Sequence, residues 1–207
     1  MSVRVAYLTS QYPALSHAFI EAEIEAIRGC GVEVATHSVR PCPPQELRSA
    51  TMRAEATRTR SLRGTPATEW SQAVARLARR RPDVLAAGLR LAAGSGRRAV
   101  RTKTWQLFYL AEAALLYERV RADGMRHVHA HFANVGADVA RLTAGLGRAE
   151  DGPGSGWRWS FTMHGPTEFE EVASFDLAAK VRSADGVSCI SDFCRSQLMR
   201  FVEPAHW

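Results

Sequence analysis

The sequence predicts an α/β protein built on a doubly wound parallel sheet with helices on both faces, Rossmann-like in outline, and three observations predict it. A strand, a helix and a second strand follow one another within the first forty residues; strand-length apolar runs alternate with helical periodicity again from residue 126 onward; and the connections between these elements are short. Strand, helix and strand in so few residues require a parallel pairing with a right-handed crossover. Repeated alternation of this kind is the pattern of a doubly wound sheet.

Residues 3–8 (VRVAYL) form the first apolar run, and residues 10–16 (SQYPALS) follow it with loop chemistry. From Ser16 onward, Ile20, Ile24 and Ile27 recur at helical spacing, Glu21 and Glu25 lie one turn apart on the outer side, and Gly29 and Gly31 end the helix. Residues 32–39 make the second strand. Residues 41–124 lack strand alternation, apart from a short stretch near residues 57–62, and their wealth of Ala, Leu and Arg reads as mostly helical. Leu107, Leu110, Ala114 and Tyr117 mark the longest helix there, at residues 97–121, and Gly94-Ser95-Gly96 separates it from an earlier one. A strand at residues 126–131, a helix at 135–145, a Gly/Pro loop at 150–156 and a strand at 158–163 come next. A helix at 175–184, a strand at 186–190 and a helix at 192–201 complete the pattern.

At 207 residues, 46% hydrophobic and 23% charged, the composition is that of one ordinary globular domain spanning residues 1–207. No apolar run reaches the roughly 18 residues of a membrane span, and residues 1–9 read as a strand rather than a signal peptide. A cytoplasmic protein is therefore expected. Cys30, Cys42, Cys189 and Cys194 form no CxxC pair and no zinc-type spacing, which points to free thiols. The net charge of +6 is uneven: residues 40–103 hold fifteen Arg and Lys against four acids. Such a block suits an anionic surface, a membrane or a phosphorylated substrate. Within it, residues 76–103 set Arg79, Arg80, Arg81, Arg97, Arg98, Arg101 and Lys103 around apolar Val84, Leu85, Leu89 and Leu91, a combination that reads either as a membrane-interface segment or as a basic solvated face around core helices. Nucleic acid is disfavoured, because the block lacks aromatic interleaving and any recognised motif.

In a doubly wound sheet, ligands bind beyond the carboxyl ends of the strands, where strand order reverses. Ser10, Gln11 and Tyr12 follow the first strand, His129 and His131 close the fourth, and His164 with Gly165 closes the fifth. The first loop carries no G-x-G-x-x-G, so no nicotinamide or flavin cofactor is expected. The helix after Ser16 can present free backbone N–H groups to a phosphate or hydroxyl, or Ser16 can simply cap it. His127, His129 and His131 alternate and share one face. An HxH pair can bind a metal, but barrel-type metal sites need further ligands on later strands, of which His164 is the only histidine, and no metal is expected. His164, where an apolar strand stops at a Gly-Pro turn, is the sharpest catalytic candidate: an imidazole there can donate to a sugar hydroxyl or phosphate, or can merely bond a nearby carbonyl. Glu168, Glu170 and Glu171 read as solvated, with Glu168 in reach of a substrate hydroxyl. Ser191 reads as a helix cap, with no GxSxG elbow around it.

Four segments, residues 7–20 (YLTSQYPALSHAFI), 129–134 (HAHFAN), 161–169 (FTMHGPTEF) and 187–195 (VSCISDFCR), together resemble the family 4 retaining glycosyltransferases of GT-B fold, in the exopolysaccharide subset related to colanic acid transferases. The resemblance covers nearly the whole chain and is weakest in the basic middle. It implies an amino-terminal acceptor-side domain, with the nucleotide-sugar (UDP- or GDP-linked) held by a carboxy-terminal domain that lies outside this sequence. His164 takes the place of the family's cleft histidine. Ser10, Gln11, Tyr12, Ser16, His17, His129, His131, Asn134, Gly165 and Glu168 form the implied substrate-binding set, and residues 10–17 stand where many relatives have a glycine-rich turn. The family's carboxy-terminal E-x7-E element is missing, so the chain alone is expected to be inactive. Its implied partner is a glycan or lipid-linked acceptor; an anionic membrane surface is suggested by the basic block alone, which reads equally as a solvated face. The alternative is a stand-alone, non-catalytic carbohydrate- or nucleotide-binding module.

Overall fold

The computed structural model describes residues 3–94, 100–165, 168, 169, 172, 176–203 and 205, with the side chains of residues 100–102 excluded. Six strands, β1 (Arg4–Gln11), β2 (Glu33–Arg40), β3 (Arg60–Ser61), β4 (His127–His131), β5 (Arg158–Met163) and β6 (Gly186–Cys189), form one all-parallel sheet in the order β3-β2-β1-β4-β5-β6. Strand order therefore reverses between β1 and β4, which pair through Ala6 with Val128, Tyr7 with His129 and Leu8 with Ala130. Beyond its apolar run, β1 continues along β2 as far as Gln11 opposite Arg40. The residues 57–62 expected as a short strand contribute only Arg60 and Ser61, because α2 occupies the chain up to Arg58.

Among the described residues the main helices are α1 (Ala18–Gly29), α2 (Ala50–Arg58), α3 (Ala67–Arg80), α4 (Pro82–Gly94), α5 (Val100–Ala122), α6 (Val135–Asp151), α7 (Leu177–Ser183) and α8 (Asp192–Met199). Alternation along the strands divides them between two cores. Ala6, Leu8, Val128, Ala130, Trp159 and Phe161 join Leu110, Leu116, Leu142 and Leu146 of α5 and α6 in the larger one. Burying each of these large side chains contributes on the order of 1.5–3 kcal/mol. Val5, Tyr7 and Val34 point the other way, onto Ile20 and Ile24 of α1. That second face is less covered toward β5 and β6, where Arg158, Gly186 and Ser188 are exposed and Ser160 is half-buried. Polar residues, the strand histidines among them, are tolerated there for that reason.

Three expectations change at this level. Helix α6 runs through Gly145 to Asp151, since its glycines serve packing and do not end it: a Cβ on Gly145 would lie 2.5 Å from a Leu91 methyl, and one on Gly147 would lie 2.1 Å from the Trp157 ring. Ser16 does not cap α1; it sits in a 3-10 turn (Leu15–His17), and the helix begins behind His17 without a side-chain cap. In the basic stretch, Val84 is fully buried and Leu85 and Leu91 pack on the core, so only Leu89 among these apolar residues is exposed. Several of its arginines already have acidic partners: Arg63 Nε meets the buried Glu112 at 2.6 Å, Arg76 holds Glu118 through two bonds of 2.9 and 2.6 Å, and Arg81 pairs with Asp83 at 2.7 Å. Ser191 caps α8 by accepting from Cys194 N at 3.1 Å, and all four cysteines are free. Among the described residues no helix is long and apolar enough to cross a membrane. Ser95, Gly96, Arg97, Arg98, Glu170, Glu171 and the side chain of Arg101 lie outside the described residues.

Candidate active site

The reversal of strand order brings the carboxyl ends of β1, β4 and β5 side by side, and α1 starts above them. The register sets Tyr7 beside His129 and His129 beside Ser160, and sets His131 beside Thr162, so these side chains share the face of α1. His127 Nε2 and His129 Nδ1 both hydrogen-bond Ser160 Oγ, at 2.7 and 2.8 Å, while His129 Nε2 meets Thr162 Oγ1 at 3.1 Å. At the strand ends, His131 Nδ1 and His164 Nε2 hydrogen-bond at 3.0 Å. A cleft of about 650 Å³ opens there between Ser16, His17 and Phe19 on one side and Phe132, Thr162 and His164 on the other, with Glu23 and Ile190 at its walls. The rings of Phe19 and Phe132 lie 4.9 and 4.4 Å from that of His164, an apolar collar around a polar tip. A second cavity, of about 640 Å³, lies at the open sheet edge between α7, β6 and α8 and contains none of the candidate site residues.

Burial keeps the imidazoles uncharged. His131 is wholly buried, and desolvation, reinforced by the neighbouring His129, His164 and His17, pushes its pKa down to about 3. His129 is pushed down to about 4 by the same cause, with His127 and His164 adding to it. His164 and His17 also titrate below the ordinary histidine range because of burial. Near neutral pH the site therefore offers neutral imidazoles, which donate and accept hydrogen bonds, in place of fixed positive charges. The Tyr7 hydroxyl donates to Glu23 Oε1 at 2.8 Å, and burial together with that carboxylate raises its pKa, so it stays protonated.

The loops around the cleft are fixed by two buried charges. Glu168, only 4% exposed, accepts the backbone N–H groups of His164 and Gly165 at 2.9 Å each through one carboxylate oxygen, and that of Ala133 through the other. Lys180 Nζ, also buried, donates to Ala133 O at 2.7 Å and Asp138 Oδ2 at 2.9 Å. Ala133, just beyond β4, is thus held at its N–H by Glu168 and at its carbonyl by Lys180. Glu168 is accordingly a loop anchor and not the solvated, hydroxyl-seeking residue expected, because three backbone donors already occupy its oxygens.

The other candidates divide in the same way. Asn134 accepts from Gly136 N at 3.0 Å as the cap of α6. Tyr12 is 2% exposed, packs in the smaller core and donates to Glu55 Oε2 at 3.4 Å, which is a core position. Gln11 Nε2 is bonded to Glu46 Oε2 at 2.9 Å, and Ser10 is half-buried next to it at the end of β1. Ser16, His17 and His164 remain on the cleft wall. Gly165 adopts φ +128°, which explains a glycine directly after His164.

Tyr7, Phe19, Glu23, Phe132 and Thr162 belong to the site and escaped the sequence reading. Glu23 had a signal: it lies three residues after Ile20 and one before Ile24, at the margin of the buried stripe of α1, whereas Glu21 and Glu25 fall on the outer side. No family model, no curated protein and no solved structure matches the chain.

Proposed function

We propose that this chain is the acceptor-side domain of a retaining glycosyltransferase, which transfers a sugar from a UDP- or GDP-sugar to a glycan or lipid-linked acceptor in polysaccharide biosynthesis. The observation that carries the reading is the position of His164. Its neutral imidazole stands at the end of β5, on the wall of the cleft at the strand-order reversal, braced by His131 behind and flanked by Phe19 and Phe132. Aromatic faces suit the apolar side of a sugar ring, and an uncharged N–H donor suits its hydroxyls or the oxygen that leaves with the phosphate. The start of α1, which has no side-chain cap, turns its positive dipole end toward the cleft beside Ser16 and His17. Glu168, Lys180 and Asn134 fix the loops so that this geometry exists before a ligand arrives.

The basic stretch supports a subsidiary part of the proposal, docking at an anionic membrane where lipid-linked acceptors reside. Arg79, Arg80 and Arg90 are exposed, and α4 and α5 expose Leu89, Trp105 and Leu107. The main reading is tested by incubating the full-length gene product with UDP- and GDP-sugars and a lipid-linked acceptor. The expected result is acceptor-dependent release of the nucleoside diphosphate, with the anomeric configuration retained in the product. Glycan or nucleotide binding without turnover of any donor would instead identify a binding module.

A further inference from the structure

Beside the cleft, a carboxylate and two imidazoles converge, and one of the imidazole nitrogens there has no hydrogen bond among the described residues. One ligand atom from each of Glu23, His129 and His131 lies within 4.8 Å of the other two. Glu23 Oε1 and His131 Nε2 stand 3.6 Å apart, beyond hydrogen-bonding reach, although the His131 side chain is 0% exposed. His131 Nε2 is sealed from solvent and has no hydrogen-bond partner among the described residues. Leaving such an atom unpaired is costly, and a buried polar atom aimed at a carboxylate at this distance calls for something between them. Two ligands of one tetrahedral zinc ion, each about 2.0–2.1 Å from it, are separated by about 3.3 Å. The observed spacing is close to that of two groups sharing a cation.

From this geometry we infer that Glu23, His129 and His131 form a binding site for a borderline-soft divalent cation, with Zn²⁺ as its representative. Two neutral imidazoles and one carboxylate are the donor set such ions favour, and hard Mg²⁺ or Ca²⁺ prefer oxygen alone. The surroundings are those of a metal site as well. His131 is oriented through Nδ1 by His164 at 3.0 Å, and whichever nitrogen His129 turns to the cation, the other keeps a hydroxyl partner in Ser160 or Thr162. The Tyr7 hydroxyl, 2.8 Å from Glu23 Oε1, orients the carboxylate. Three protein ligands leave a coordination position open, and Glu23 lines the cleft, so the ligand expected at that position is an oxygen: water, or a hydroxyl or phosphate oxygen of a bound molecule. The inference is independent of the glycosyltransferase reading and holds equally for a binding module.

The test is titration of chelator-stripped protein with Zn²⁺ by calorimetry and with Co²⁺ by absorption, using variants whose fold is checked by circular dichroism. One Zn²⁺ per chain is expected, with Co²⁺ giving the visible bands of a four-coordinate site and no thiolate charge-transfer band. Glu23 is 37% exposed on a helix surface, so Glu23→Gln keeps the fold even if His131→Gln does not. Glu23→Gln lowers Zn²⁺ affinity at least about 100-fold, while His164→Ala, which removes an orienting partner only, lowers it about 10- to 100-fold. His127→Asn, which touches the cluster only through the Ser160 hydroxyl, changes it less than His164→Ala does. Absence of saturable binding, unchanged affinity in Glu23→Gln, or a cobalt–thiolate band reporting Cys189 or Cys194 overturns the inference.

Discussion

The carboxylate of Glu168 holds the backbone N–H of His164 at 2.9 Å, so the residue that presents the catalytic candidate and the candidate itself are only four positions apart in sequence yet have different work. Glu168 shapes the loop; His164 faces the cleft. The two substitutions therefore separate. Glu168→Ala leaves buried backbone donors unpaired and is expected to lower stability by at least about 2 kcal/mol, a fall of roughly 4 °C or more in Tm for a domain of this size. His164→Ala unpairs a single side-chain nitrogen, Nδ1 of the buried His131, and is expected to lower stability less than Glu168→Ala does; on the proposed function it also cuts sugar transfer by about 10²-fold, the scale of one lost preorganised donor. Thermal melts and initial rates on the two variants decide it; near-normal turnover in His164→Ala removes the catalytic role.

Gly145 and Gly147 lie on the same helix, yet their substitution by alanine should differ sharply. A Cβ on Gly147 meets Cδ2 and Cε2 of the Trp157 indole at 2.1 and 2.2 Å, and that ring is itself buried and bonded to Asp151. Gly147→Ala is expected to cost about 1–3 kcal/mol, or more if the indole cannot shift. Gly145→Ala meets only the end of the Leu91 side chain, which can rotate away, and the helix-propensity gain of about 1 kcal/mol offsets part of the strain. Urea denaturation of both variants checks the order; equal stability would show that Trp157 yields as easily as Leu91.

His37 gives the fold a pH dependence of its own. It is 1% exposed, and burial, aided by the charges of Arg60 and Arg119, holds its pKa down at about 3 against about 6.5 in the unfolded chain. The unfolded state then binds the extra proton between these values. The stabilisation is fully present above pH about 6.5 and is lost as pH falls toward 3, with a limiting slope of about 1.4 kcal/mol per pH unit. His37→Leu is expected to flatten the stability profile in that window, and an unaltered slope in equilibrium denaturation would assign the dependence to other groups. The two arginines of this network have acidic partners of their own, Asp123 for Arg60 and Glu69 for Arg119.

Exposed Arg79, Arg80 and Arg90 predict binding to anionic vesicles in preference to neutral ones. Each engaged cation contributes about 1 kcal/mol, and salt screens the attraction. Replacing the three by Gln is expected to abolish most co-sedimentation at low salt. Equal binding to both lipid types, or none to either, returns these residues to an ordinary solvated surface.

The sequence alone determined the β/α alternation, the shared face of His127, His129 and His131, and the placement of His164 at a strand end, because strand and helix periodicities record locally which side of the chain is buried. Gly145 misled that reading, since a glycine set into a helix by close packing looks the same in sequence as one that ends it. Only the tertiary structure decided that Glu23 faces His131, that Glu168 clamps the turn after β4, and that Tyr12 lies in the core. Each of these depends on strand order and on how α1 crosses the sheet, and both are set by packing between segments far apart in the chain. The 3.6 Å approach of Glu23 to His131 joins residues more than a hundred positions apart, a distance over which no local pattern carries information.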